Sequence, residues 1–226
     1  MKKVIFVGKD KYLNNHKEVL PQPAKNFKPS WFINMPVDDT NTNEYIKKLI
    51  PNNLTAKICP SFSEIFNEGF VLPSPCDLWI RFEKDGSWAW EASLGVIKLT
   101  EHNDRQFVNH TSMNVKKIFK IEYPFYCITP KGYSVRQIPM LYHGNTEWQI
   151  AYGTIQTDKH HAINPQILIT SDSNEIYIKK GEPLNYLVPY KREKFKLVFN
   201  DYDKYENQIN AAEYKARLKF KNGYVK

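Results

Sequence analysis

Residues 153–192 read GTIQTDKHHAINPQILITSDSNEIYIKKGEPLNYLVPYKR. The stretch opens on a Gly-x-Ile-x-x-Asp turn at Gly153–Asp158 and carries two alternating apolar runs, Gln166–Thr170 and Glu175–Lys179. It closes on Lys180-Gly181-Glu182-Pro183-Leu184 and Leu187-Val188-Pro189. Alternation with period two puts successive side chains on opposite sheet faces, so the runs predict half-buried strands. Ser171-Asp172-Ser173-Asn174 is the turn between them.

Working outward, strand signals recur through the chain. Residues 3–8 form a short apolar run. Leu78–Phe82 leads through Asp85-Gly86, a strong hairpin signal, to Trp88-Ala89-Trp90. Ile118–Thr129 is a long aromatic strand interrupted at Pro124. Lys131-Gly132 turns it into Tyr133–Ile138, and Trp148–Tyr152 and Tyr186–Pro189 complete about eight strands. Helical signals are fewer. One falls near Asn43–Ile50, and one at Pro60–Glu68, with Pro60 in the first turn, a capping box from Ser61 to Glu64 and Gly69 past the end. Lys28-Pro29-Ser30-Trp31-Phe32 reads as a capped turn anchoring an arm. Residues 204–222 switch to helical period, with Ile209, Ala212, Ala216 and Phe220 on one face. The expected fold is mainly β, a jelly roll or β-barrel. Its predicted parts are an N-terminal arm over 1–69, a β core over 70–200, and an amphipathic helix and tail over 201–226.

Composition sets the outer bounds. The 226 residues suffice for a full core, and 14 Tyr, 13 Phe and 5 Trp with 14 Pro favour short strands over a helical bundle. A net charge of +8 favours anionic partners, nucleic acid included. Cys59, Cys76 and Cys127 form no CxxC pair, which indicates free, buried thiols and a reducing, cytoplasmic setting. The run Val4–Val7 is too short for a membrane span, so no membrane partner is expected.

The order of signals from Tyr133 to Arg192 resembles the dUTPase and dCTP-deaminase superfamily of β-barrels. Gly153–Lys159 stands where that family has a Gly-x-Ile-Asp-x-Asp-Tyr nucleoside turn. Lys180–Leu187 stands where it has a closing Lys-Gly-Asp-Arg strand. The resemblance implies a dUTPase-like barrel, a nucleotide ligand and, in the family's assembly, a homotrimer with ligands between subunits. Two departures matter. Gln156 occupies the place of the water-activating Asp and Lys159 that of the Tyr under the sugar, and an amide has no proton affinity to act as a base. The family's hydrolysis of dUTP is therefore not expected. The whole chain also resembles a group of tailed-phage proteins, through Cys59–Phe62, Gly69–Cys76, Pro130–Ser134 and Pro189–Arg192.

The candidate ligand-binding residues are Ser134, Arg136, Gln156, Asp158, Lys159, Lys180 and Arg192. Ser134 and Arg136 share a strand face if the strand is regular, so a hydroxyl and a guanidinium could converge on one anion. Lys180 and Arg192 belong to a basic group with Lys179, Lys191 and Lys194, which would equally protect an exposed sheet edge. Asp158, His160 and His161, with His143 or His110, make an alternative metal set of a jelly-roll oxygenase; otherwise no metal and no cofactor is expected. Trp79, Trp88, Trp90 and Trp148 could stack on bases or simply build the core. The expected function is a phage-type accessory protein holding a small anionic ligand, a nucleotide above all, such as a host defence signal. The alternative from another class is a virion or assembly component.

Overall fold

The computed structural model describes residues 2–37, 55–102 and 115–221. The helix expected at Asn43–Ile50 and the candidate ligand His110 lie outside the described residues. Two compact units are formed, one by Met1–Phe27 with Glu68–Arg192 and the other by Lys28–Asn67 with Glu193–Lys226.

All strands among the described residues fall in the first unit, where they form four antiparallel sheets. One pairs β1 (Ile5–Gly8) with β8 (Phe125–Ile128). A second runs β10 (Trp148–Ile150), β12 (Gln166–Ile169), β7 (Lys117–Glu122), β6 (Lys98–Glu101). A third runs β11 (Gly153–Ile155), β9 (Tyr133–Ile138), β14 (Pro183–Lys191), β3 (Phe70–Pro73), β2 (Gln22–Pro23). The fourth runs β13 (Glu175–Ile178), β4 (Leu78–Phe82), β5 (Trp88–Ala92). The chain is thus mainly β, as its alternation predicts, and the open sheets fit a jelly-roll-like arrangement.

Period two decides what each strand buries. Leu78 and Ile80 of β4, Ile176 and Ile178 of β13, and Phe125 and Cys127 of β8 point inward and are buried. The intervening Trp79, Arg81, Tyr177 and Tyr126 do not. On β12 the run Ile167-Leu168-Ile169 is buried on both faces. Ile167 and Ile169 enter the main core with Leu72, Phe119, Phe125 and Leu187, and Leu168 packs in a small cluster with Val115 and Ile118. Each such side chain contributes about 1.5–3 kcal/mol relative to exposure. Fully buried Tyr123 satisfies its hydroxyl by donating to the Pro73 carbonyl. Burial pushes its pKa up. Burial likewise pushes the Cys76 thiol up to about 11 and the Cys127 thiol up to about 12.

Turns fall where Gly is required. Gly86, at φ +84°, closes the β4–β5 hairpin that Asp85-Gly86 predicts. Gly69, at φ +69°, meets a tighter demand: a Cβ built there would stand 2.2 Å from the Leu187 carbonyl oxygen. Two expectations shift. The long strand through Pro124 is two strands, since β7 and β8 belong to different sheets. The Lys131-Gly132 turn is present, with Gly132 at φ +84°, but it carries the chain from β8 to β9 in another sheet rather than closing a hairpin.

In the second unit a short helix at Ser30–Asn34 buries Phe32, whose ring lies 4.9 Å from that of Phe66. Lys57 Nζ donates to the carbonyls of Phe32 (2.9 Å) and Ile33 (2.6 Å), satisfying the helix end. The helix predicted from Pro60 begins there, so Ser61 lies inside its first turn rather than capping it. After Ser63 it tightens to a 3-10 turn over Glu64–Phe66. A C-terminal helix spans Glu206–Lys221.

Candidate ligand site

The 153–161 stretch folds back on itself through its own carbonyls. Thr157 N donates to Ile155 O (2.9 Å), and Lys159 N and His160 N both donate to Gln156 O (2.8 and 2.9 Å). This hydrogen-bonded turn points Asp158 inward, where its side chain is only 4% exposed. Asp158 Oδ2 accepts from Gly132 N (2.8 Å), and its two oxygens accept the paired Arg192 Nη1 and Nη2 at 2.8 and 2.5 Å. Arg192 Nη1 also donates to Tyr133 O (2.7 Å) and to Ser134 Oγ (2.8 Å). The Arg192 guanidinium beside Asp158 holds its carboxyl well below the usual carboxylate range, and Asp158 in turn raises the arginine. Bidentate arginine–carboxylate pairing of this geometry fixes orientation as well as charge.

Three of the sequence candidates, Ser134, Asp158 and Arg192, are therefore brought together, and they grip one another. They clasp the turn to the start of β9 and the end of β14. Arg136, two residues along β9, is exposed, with its guanidinium 5.0 Å above the Tyr190 ring. It does not converge with Ser134. Lys180 pairs with Glu18 (3.0 Å), and its backbone N–H donates to Asp77 (2.9 Å). The Lys180 contact helps hold the Glu18 carboxyl down to about 2, after the backbone hydrogen bond at Glu18 itself. Gln156 is exposed and serves the turn through its backbone carbonyl. As for a metal, both oxygens of Asp158 already accept from Arg192 and Gly132. Among the described residues no group of three His, Cys, Asp or Glu side chains is placed to hold one ion.

Lys159 leaves the clasp on its outer side and lines a cavity of about 350 Å³ together with His160, His161, Val7, Tyr126 and Ile128. The β1–β8 ribbon forms its floor: Val7 stands opposite Tyr126 in register, and both side chains face outward. The Tyr126–Ala162 bridge and the Cys127 N to His161 O bond (2.8 Å) tie the turn to that ribbon. Lys9 Nζ lies 5.1 Å from the Tyr126 ring centroid, a cation over an aromatic face. His161 Nδ1 donates to Thr157 O (2.8 Å), which leaves Nε2 as its open ring nitrogen. The result is an apolar, aromatic floor with a cationic rim, and among the described residues no carboxylate lines it. Tyr126, Lys9, Val7 and Ile128 were not sequence candidates. Alternation from the apolar Phe125 and Cys127 was the one signal that could have turned Tyr126 outward.

A second cavity, about 190 Å³, is lined by His143, Trp148, Gln149 and Glu182 among others. His143 Nε2 lies 3.0 Å from Phe27 O, and burial holds its pKa below the ordinary imidazole value. The tryptophans divide: Trp148 is buried, and Trp88 sits edge-on to Phe119 at 4.6 Å. Trp79 stacks on Tyr177 at 5.1 Å.

No protein-family model and no curated protein matches the sequence. Among solved structures, the chain is similar to the EIAV dUTPase, with a TM-score of 0.35 and 13% identity over 59% of this chain and 83% of that one. It is similar to a mutant dUTPase from phage phi11 of S. aureus, at 0.35 and 12% over the same shares. A mutant dUTPase of Staphylococcus bacteriophage 80alpha matches at 0.32 and 12%, over 48% of this chain and 97% of that one. Likenesses this distant transfer neither residue nor activity, so the site stands on this chain's own contacts.

Proposed function

We propose that this chain binds a small anionic ligand bearing a flat apolar group, a nucleotide by chemical class, at the Tyr126 cavity, and holds it without hydrolysing it. The observation that carries the reading is the lining: an aromatic and aliphatic floor beside Lys159 and His160, with Lys9 outside the lining but over the Tyr126 ring. A base can lie on Tyr126 and Val7 while phosphate oxygens accept from the lysines. Asp158, Arg192 and Ser134 act as positioning residues, because their clasp fixes the backbone from which Lys159 and His160 project. The absence of hydrolysis rests on the same geometry. Among the described residues no carboxylate lines the cavity, Gln156 has no basic side chain, and Asp158 is committed to Arg192.

The experiment is a calorimetric titration of the full chain with nucleoside mono-, di- and triphosphates. Lys159→Ala removes one charge-assisted contact, which is about 1.5–3 kcal/mol or roughly a 10–100-fold loss of affinity. Tyr126→Ala removes a stacking platform, which is about 1–3 kcal/mol. Arg136→Ala, outside the lining, leaves the affinity unchanged. Equal weakening by Arg136→Ala, or no binding of any nucleotide by the intact chain, refutes the proposal.

A further inference from the structure

Residues 193–200, EKFKLVFN, follow β14 without joining a sheet. Phe195, Leu197 and Phe199 are 89, 78 and 88% exposed. Among the described residues none of 194–199 makes a backbone hydrogen bond. Apolar side chains at 195, 197 and 199 lie on one face of an extended chain, with Lys194, Lys196 and Val198 on the other. An unpaired backbone carrying large apolar groups on one face is the donor half of a strand addition.

The recipient half is β5. It is hydrogen-bonded only to β4 and, at five residues, is the longest open edge among the described strands. Five is also the length of Phe195–Phe199. Trp88 and Trp90 share the core-facing side of β5, yet Trp90 is 37% exposed, so that side of the edge is incompletely covered. The opposite side carries Glu91, an exposed carboxylate 3.8 Å from Arg81 of β4 and opposite in sign to Lys194 and Lys196. The open edge of β1 is flanked by Lys2, Lys3 and Lys9 and would repel the same segment.

We propose that residues 194–199 of one copy add as a further strand to the β5 edge of a second copy. Phe195, Leu197 and Phe199 then lie along Trp88 and Trp90, while Lys194 and Lys196 face Glu91. Donor and edge belong to the same chain, so two copies satisfy each other reciprocally, the self-complementary arrangement of a two-fold pair. Two exchanged segments remove on the order of 1,000 Å² of apolar surface from water, near the lower bound for a specific interface.

The test is the solution mass of the full chain by light scattering after gel filtration, with circular dichroism confirming each fold. The intact chain is expected at twice 26.6 kDa, the mass of the two-fold pair. The triple variant Phe195→Ser, Leu197→Ser, Phe199→Ser, which alters only exposed side chains, is expected at 26.6 kDa. Trp90→Lys, on the recipient edge, is expected at the monomer mass too. A monomeric intact chain, or a triple or Trp90→Lys variant of unchanged mass, overturns the proposal.

Discussion

Replacing Gly69 by Ala tests the packing that places β14. The backbone there is at φ +69°, and an added Cβ would lie 2.2 Å from Leu187 O, 3.1 Å from its carbonyl carbon and 3.2 Å from Val188 Cα. That is about 0.8 Å inside the closest approach real Cβ atoms show, and the obstacle is backbone rather than a side chain that can rotate away. Leu187 is fully buried and paired on both sides, with Phe70 of β3 and Gln137 of β9, so β14 cannot yield alone. The left-handed conformation costs an L-residue about 1–2 kcal/mol. Forcing an extra carbon into a packed site costs a further 1–3 or so, for a total of roughly 2–5 kcal/mol. Gly86→Ala is the control, since its φ is +84° but nothing lies within 4 Å of the added carbon. It should cost only the conformational part, about 1–2 kcal/mol. At roughly 2–4 °C per kcal/mol for a chain of this size, Gly69→Ala should melt several degrees below Gly86→Ala. Thermal and urea unfolding, followed by far-ultraviolet circular dichroism, measure both. Equal losses in the two variants would refute the close approach of Gly69 to β14.

Two further outcomes follow from the titratable groups. Asp158 has its folded pKa depressed by Arg192, so its stabilisation is present above the unfolded carboxylate value near 4 and is lost as pH falls through the folded one. Asp158→Asn should therefore be less stable than the intact chain at neutral pH, with the gap closing below about pH 4; a gap independent of pH contradicts the clasp. Cys76 and Cys127 are buried with thiols raised to about 11 and 12, so a thiol reagent at neutral pH should label Cys59 alone until denaturant is added. Rapid labelling of all three in the native chain contradicts that burial.

What the sequence disclosed was local. Asp85-Gly86 dictates its hairpin because few residues other than Gly accept φ +84°, and the Glu175–Ile178 alternation dictates which side chains enter the core. What it concealed was long-range. Nothing near Ile5 indicates that β1 pairs with Ile128 in β8, and nothing near Pro124 shows that β7 and β8 part into different sheets. The candidate residues show the same division. Asp158 and Arg192 stand out as charges in the right stretch, but their mutual pairing across 34 positions takes both out of contention as free ligand groups. Lys159 was legible by its place in the turn. Tyr126 and Lys9 reach it only because the β1–β8 ribbon passes beside that turn, a consequence of tertiary pairing that no local pattern carries.

The decisive measurement on nucleotide binding at the Tyr126 cavity is a nuclear magnetic resonance titration of the full chain with a nucleoside triphosphate. Saturable shifts should concentrate at Tyr126, Lys159, His160 and His161, with the His143 ring unmoved and the triphosphate intact at the end. Shifts centred on His143 and Trp148, cleavage of the nucleotide, or no saturable shift would each contradict the proposed site.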